Sequence, residues 1–258
     1  KDICIATCEV RERMGRIRNL ADAARSIGAS YNGKWVGSQA DIVIFSLHAV
    51  KNITTAEGGA ICLNLPAPFC NEEIYKQLRM MSLNYQTKDA LTKSKGGEWR
   101  YDIIGRGMKI NMPDINAAIG YAQMHEHTKL LAERKRIFKS YDSAFADTDW
   151  AVIPPSKTEK KESSYHLYAL RIKACDENFR DKVIAEIVLH GVAVNVHFVP
   201  MPMFTYFAKL GYKISDFPQS YDSYKREISL PIYPQLSSKE VDYIIKAVKE
   251  SYDKVLNG

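Results

Sequence analysis

Ala21-Asp22-Ala23-Ala24-Arg25, then Phe45-Ser46-Leu47-His48-Ala49-Val50-Lys51-Asn52, then Thr54-Thr55-Ala56-Glu57-Gly58-Gly59 form the stretch from which the fold is read. Each piece adjoins a short, largely apolar run: Ile17 to Ala21, Asp41 to Phe45, and Gly59 to Leu63. Runs of this length between glycine-containing turns predict buried strands inside an α/β sheet. An aspartate therefore stands at the end of one strand, and a serine and a lysine stand just past the end of the next.

Working outward, Asn71 to Met81 predicts a helix over one sheet face, with Asn71 as N-cap and Glu72 and Glu73 in the first turn, where acidic groups suit the helix dipole. A longer helical pattern runs from Pro113 to about Phe145, and it is expected to link two domains. Beyond it, Tyr165 to Ile172 and Val192 to Phe198 predict strands. Asn178 to His190 and Ser237 to Val255 predict helices, the last capped by Ser237 or Ser238. Pro154-Pro155 and the charged run Lys157 to Glu162 mark an exposed loop. Phe198, Phe204, Tyr206 and Phe207 are expected in the core of the second domain rather than around a ligand pocket.

With 258 residues and 46% hydrophobic composition, the chain can build one large or two modest cores. No run approaches the roughly 20 apolar residues needed to span a bilayer, and the opening residues lack a signal-peptide layout, so a cytoplasmic location is expected without a membrane partner. Five cysteines without a CxxC pair signal neither a zinc site nor a disulfide framework. His125 and His127, two apart on a helix, face different ways, and no metal is expected. The net charge of +6 is spread among acidic residues, which argues for a solvated surface and against a nucleic-acid partner.

The block from Asp22 to Gly59 resembles the cofactor site of fold-type-I aminotransferases. More narrowly, it is similar to the DegT/StrS-type sugar aminotransferases: a strand ending in Asp, then Ser-x-His-x-x-Lys, then a Glu-Gly-Gly turn. The resemblance continues through Gly107 to Asp114, Tyr165 to Tyr168, Asn195 to Phe198 and Leu230 to Pro234, in the family's order. Gly107-x-Lys109-x-Asn111, where Gly-x-Asn-x-Arg is commoner, places it nearer the members that aminate C4 of UDP-linked keto sugars.

The resemblance implies the C-terminal part of a large mixed-sheet pyridoxal-phosphate-binding domain over residues 1–125. The long linking helix and a small α/β domain would fill 126–258, with the family's N-terminal half lying outside the chain. It also implies site roles. Asp22 would stabilise the protonated pyridine nitrogen by opposite charge. Lys51 would be the Schiff-base lysine and then the general acid/base, for which its pKa must be depressed. Ser46 would donate to the cofactor phosphate, and Lys109 would reach the same phosphate from a neighbouring subunit, giving a homodimer with shared active sites.

Arg25 stands where relatives carry histidine or glutamine near the ring oxygen, either substituting as donor or turned to solvent. His48 and His197 are substrate candidates, each with a structural alternative. Asp22 and Ser46 taken singly also read as helix caps. Glu57-Gly58-Gly59 reads as a tight turn using the positive φ open to glycine.

The implied reaction is amino transfer, from glutamate, to a 4-keto or 3-keto nucleotide-linked deoxy sugar for a surface glycan. Two alternatives are a catalytically inactive partner or sensor and a dehydratase using the same cofactor. Lys51 speaks against the dehydratase, which carries histidine there.

Overall fold

The computed structural model describes residues 16–89 and 99–258. They fall into two compact units, one ending at His127 and the other beginning at Thr128.

The first unit is built on β1 (Leu20–Asp22), β4 (Ile42–Ser46) and β5 (Gly59–Leu63), in the order β1-β4-β5. Between β1 and β4 lies a hairpin, β2 (Ser30–Tyr31) and β3 (Lys34–Trp35). Its turn residues Asn32 (φ 49°) and Gly33 (φ 74°) take the positive φ that a tight hairpin requires. β1 and β4 run parallel, with Asp22 opposite Ile44, so their C-terminal ends share one sheet edge. β5 returns antiparallel, setting Gly59 opposite Ser46.

Alternation along these strands separates two faces. Val43, wholly buried, packs with Ala23 and Ala40 and is flanked by Phe45 and Cys62. The opposite face carries Ile44 (40% exposed) and its register partner Ile61 (51% exposed). The expectation of strands buried on both sides is thus corrected. Only the Val43 face carries a buried apolar cluster among the described residues, so the runs are half-buried.

The entry to β4 is held by Asp41, whose carboxylate accepts from both terminal nitrogens of Arg16 and from the Asn19 backbone N–H at 2.8 Å. These donors hold its pKa down at about 2. A carboxylate whose folded pKa lies below its unfolded value stabilises the fold above the unfolded pKa, and loses that contribution as pH falls through the folded one. Acid titration followed by circular dichroism is therefore expected to show Asp41→Asn abolishing a stability loss between about pH 4 and pH 2. An unchanged acid transition would exclude Asp41 as its source.

Helix α1 (Asn71–Ser82) follows β5. Its N-cap is Cys70 and not Asn71. The Asn71 side chain instead clamps Leu65, accepting from its N–H and donating to its carbonyl, each at 3.0 Å. Helix α2 (Asp114–Phe145) starts in the first unit and ends in the second.

The second unit contains the end of α2, then β6 (Ala151–Val152), β7 (Lys161–Glu162), β8 (Tyr168–Ile172) and α3 (Glu177–Leu189). Short helices α4 (Thr205–Lys209) and α5 (Pro218–Tyr224), strand β9 (Glu227–Leu230) and helix α6 (Ser238–Asn257) complete it. The antiparallel sheet has the order β6-β8-β9. Its core joins Phe138, Tyr141 and Phe145 of α2 to Tyr168, Leu170 and Ile172 of β8, with Ile187 of α3 and Val248 of α6. Of the two cap candidates, Ser237 caps α6, in a reciprocal capping box with Glu240. Asp176 caps α3, so that helix opens one residue before Asn178.

Several sequence expectations are corrected here. Val192 to Phe198 is not a strand: it meets β9 only at the Asn195–Ser229 bridge. The next N–H groups turn elsewhere, Val196 to the Asn195 side chain and His197 to the Glu227 carboxylate, so the ladder stops. Tyr165, at φ 52°, lies outside β8. The run 157–162 is partly ordered, with Lys135 Nζ donating to Glu162 at 2.6 Å. Phe198, Phe204 and Tyr206 are exposed rather than core, since this segment forms short turns and helices that leave one side uncovered.

Candidate functional site

Asp22 closes β1 and Ser46 closes β4, at the carboxyl ends of parallel strands, where open α/β sheets bind their ligands. Asp22 Oδ1 accepts the Ala24 N–H at 3.0 Å in a turn, and no helix follows, which removes the helix-cap reading. Ser46 Oγ accepts the His48 N–H at 3.3 Å. The His48 ring faces Glu57, with Nε2 3.4 Å from Oε1.

Lys51 sits on the loop from Leu47 to Gly58, which is fixed at several points. Leu47 N–H donates to the Gly58 carbonyl and Thr55 N–H donates to the Leu47 carbonyl, both at 2.8 Å. The Lys51 N–H closes a turn onto the His48 carbonyl at 3.0 Å. Ile53 and Thr55 are buried anchors. Helix α2 ties the loop from outside: Asn116 Nδ2 donates to the Thr55 carbonyl at 2.6 Å, and Gln123 Oε1 accepts the Thr54 N–H at 2.9 Å. A second tie joins the loop to the turn after β1, where Asn52 Nδ2 donates to the Ile27 carbonyl at 3.3 Å.

Burial lowers the Lys51 pKa, and the Arg25 guanidinium lowers it further, while Asp22 opposes both. Burial also lowers the Arg25 pKa. Asp22 and Arg25 are therefore both within electrostatic reach of Lys51, and Arg25 is partly buried. An amine pushed toward its neutral form is a nucleophile and a base.

Gly58 and Gly59 do not use positive φ, which corrects the tight-turn expectation; Ala56 takes it instead, at 65°. Gly58 is required by close approach. A Cβ there would run into the Thr55 hydroxyl and lie 2.7 Å from Met112 Cε.

Lys109 is exposed and donates to Asn111 Oδ1 at 2.5 Å. Its segment is strapped to the end of α1: Met108 N–H donates to the Met81 carbonyl at 2.7 Å and Ile110 N–H to the Ser82 carbonyl at 2.9 Å. Gly107 permits this, because a Cβ would strike the backbone of Asn84 and Tyr85. No hydrogen bond among those described joins Lys109 to Asp22, Ser46 or Lys51. His197 belongs to the second unit, where its Nδ1 lies 2.7 Å from Ser229 Oγ.

Sequence reading did not single out Asn116 or Gln123, and it gave Glu57 only a place in a turn. Asn116 and Gln123 are seven residues apart and thus on one face of α2, a polar pair in a largely apolar stretch, and that spacing was the available signal. Taken together, the first unit offers a carboxylate for a cationic ring nitrogen, an amine of lowered pKa for a carbonyl, and a hydroxyl and a guanidinium for anionic oxygens.

The profile of the DegT/DnrJ/EryC1/StrS aminotransferase family matches residues 15–249. The uncharacterized protein MJ1066 of Methanocaldococcus jannaschii is 36% identical, over 94% of this chain and 63% of its own. UDP-4-amino-4,6-dideoxy-N-acetyl-beta-L-altrosamine transaminase of Campylobacter jejuni is 30% identical, over 95% of this chain and 64% of its own. Among solved structures, the PMP-form of Spr1654 from Streptococcus pneumoniae, described as a sugar aminotransferase, superposes with a TM-score of 0.90 at 40% identity. It covers 97% of this chain and 62% of that one. The chain thus spans between 59% and 64% of the length of the curated relatives it matches.

Proposed function

Because the chain belongs to the DegT/DnrJ/EryC1/StrS aminotransferase family, we propose that the protein carrying it transfers an amino group from glutamate to the keto carbon of a nucleotide-linked deoxy sugar. The observation that carries this reading is the placement of Asp22 and Ser46 at the carboxyl ends of neighbouring parallel strands, with Lys51 on the loop that follows and within electrostatic reach of Asp22 and Arg25. That donor set fits pyridoxal phosphate, which when bound supplies an electron sink for the carbon losing or gaining the amine.

In this reading Lys51 Nζ holds the cofactor and moves a proton to and from the reacting carbon. The neighbouring guanidinium and partial burial keep that amine available as a base. Asp22 holds a proton on the ring nitrogen by opposite charge. Ser46 Oγ donates to the phosphate, and Arg25 donates to the ring oxygen. Lys109, whose ammonium donates to Asn111, reaches the partner's phosphate in a homodimer. His48 contacts the sugar nucleotide.

The name of the Campylobacter jejuni relative supports a UDP-linked sugar carrying nitrogen at C4, with C3 as the alternative. Among the described residues, no helix is long and apolar enough to cross a membrane. We place the reaction in the cytoplasm, within surface-glycan biosynthesis.

The test is reduction of the full-length, cofactor-loaded protein with borohydride, followed by peptide mapping. An adduct on Lys51 that prior incubation with glutamate prevents is the expected outcome. No adduct, or one on another lysine, would overturn the reading and leave the inactive partner or sensor as the better account.

A further inference from the structure

The part of α2 that belongs to the first unit inverts the usual orientation of an amphipathic helix. Ile115, Ile119, Tyr121 and Met124 are exposed, while Asn116, Gly120 and Gln123 are covered. These three fall at i, i+4 and i+7 and so form one stripe along the helix. A helix packed for its apolar contacts would turn the isoleucines inward. Among the described residues, hydrophobic packing therefore does not account for which face is covered.

What the stripe meets is the lysine loop. Asn116 Nδ2 donates to the Thr55 carbonyl at 2.6 Å and reaches the Glu57 carbonyl at 3.5 Å. Gln123 Oε1 accepts the Thr54 N–H at 2.9 Å. Between them Gly120 makes room for buried Thr55: a Cβ there would lie 2.6 Å from Thr55 Cγ2, whereas carbon atoms in contact keep about 3.5–4.0 Å. Residues 54–57 are the returning limb of the loop and are tied to its neck. The Thr55 N–H donates to the Leu47 carbonyl at 2.8 Å, and Thr54 Oγ1 donates to the same carbonyl at 3.2 Å while accepting the Ala56 N–H at 2.9 Å. Lys51 stands on the outgoing limb, which its own N–H folds onto the His48 carbonyl.

We propose that Asn116, Gly120 and Gln123 are positioning residues that seat the 47–58 loop and so set the place of Lys51 Nζ relative to Asp22 and Arg25. The link to catalysis rests on the function proposed above, whereas the seating of the loop depends only on the first unit. The two amides have opposite duties. Thr55 and Glu57 offer carbonyls, so Asn116 must donate; Thr54 offers an N–H, so Gln123 must accept. The same change from amide to acid therefore has opposite results. Asn116→Asp loses the donor and sets a carboxylate against two carbonyl oxygens, whereas Gln123→Glu still accepts.

The experiment is acetic anhydride labelling, over a range of pH, of the full-length protein freed of cofactor. Peptide mapping reads the labelling midpoint of Lys51 against that of exposed Lys76. With pyridoxal phosphate restored, kcat, KM, the Lys51 adduct and the thermal midpoint are measured on the same samples. Parental Lys51 should label at lower pH than Lys76, because burial and Arg25 favour its neutral form. Asn116→Asp, Asn116→Ala and Gln123→Leu should move the Lys51 midpoint toward that of Lys76. They should also lower kcat about 10- to 100-fold with KM little changed, the cost of misplacing a reacting group by about 1 Å. Asn116→Ala removes the donor without adding charge and stands in should Asn116→Asp not fold. Gln123→Glu should stay close to the parent in both readings. Gly120→Ala should show the same loss as Asn116→Ala by pushing on Thr55, although alanine favours a helix over glycine.

A parental Lys51 midpoint and kcat in Asn116→Ala and Gln123→Leu would overturn the proposal. So would a Gln123→Glu variant as impaired as Gln123→Leu, or thermal midpoints that fall while the Lys51 labelling profile stays put. A parent without an adduct on Lys51 would defeat the aminotransferase reading instead, and the labelling comparison would still decide the seating of the loop.

Discussion

Lys51→Ala is expected to lower amino transfer by at least about a thousandfold, because one side chain supplies both the amine that holds the cofactor and the proton shuttle, and a positioned acid/base alone is worth roughly 10²–10⁴-fold. The loss should be chemical and not structural. The loop around Lys51 is held by its backbone N–H to His48, by buried Ile53 and Thr55, and by Asn116 and Gln123, none of which involves the lysine side chain. The thermal midpoint of the variant should therefore stay within a degree or two of the parent, as for other changes that touch no packing. Lys51→Arg should fail equally, since a guanidinium keeps its charge and does not serve as an amine nucleophile. Single-turnover conversion of glutamate, read by cofactor absorbance, is the measurement. More than a tenth of parental activity in either variant would move the catalytic amine elsewhere.

The largest expected effect on stability lies in the other unit. Phe138→Ala should cost about 3–5 kcal/mol, the range for deleting a buried aromatic side chain and leaving a cavity. Phe138 is 1% exposed, with its ring centroid 4.6 Å from that of Tyr168 and 5.3 Å from that of Tyr165, both edge-on. Edge-on ring pairs add to the area term, so the cost should sit toward the upper end. Ile115→Ala on the same helix is the control: at 79% exposure it should change stability by less than about 0.5 kcal/mol. Urea unfolding midpoints of both variants decide the matter. Equal effects would mean that Ile115 is buried in the assembled protein.

Much of the site was legible because its parts are local. Asp22 to Lys51 spans two strand ends, and apolar run, turn and polar tip follow in order along the chain. The cap at Ser237 or Ser238 was legible for the same reason, since a cap is a contact among four consecutive residues, and the structure shows it to be Ser237. Asn71 shows the limit. It is a good cap by residue type, but its amide found the Leu65 backbone six residues earlier, and Cys70 took the cap position. Val192 to Phe198 has strand composition, yet its N–H groups are taken by the Asn195 and Glu227 side chains.

What the sequence by itself determined is the three strands of the first unit, the longer helices and the residue types at the ends of β1 and β4, because periodicity and residue type act over a few neighbours. Only the tertiary structure decided the rest. It set Arg25 within electrostatic reach of Lys51 and left Ile44 and Ile61 at the surface, and it reserved Gly58 for close approach to Thr55 and Met112. It also joined Glu227, Ser229 and His197 into one chain of hydrogen bonds. The physical reason is common to all four. Charge, exposure and hydrogen-bond pairing depend on which atoms lie within a few ångströms, and these include atoms from distant segments, as Arg25 beside Lys51, Met112 beside Gly58 and His197 beside Glu227.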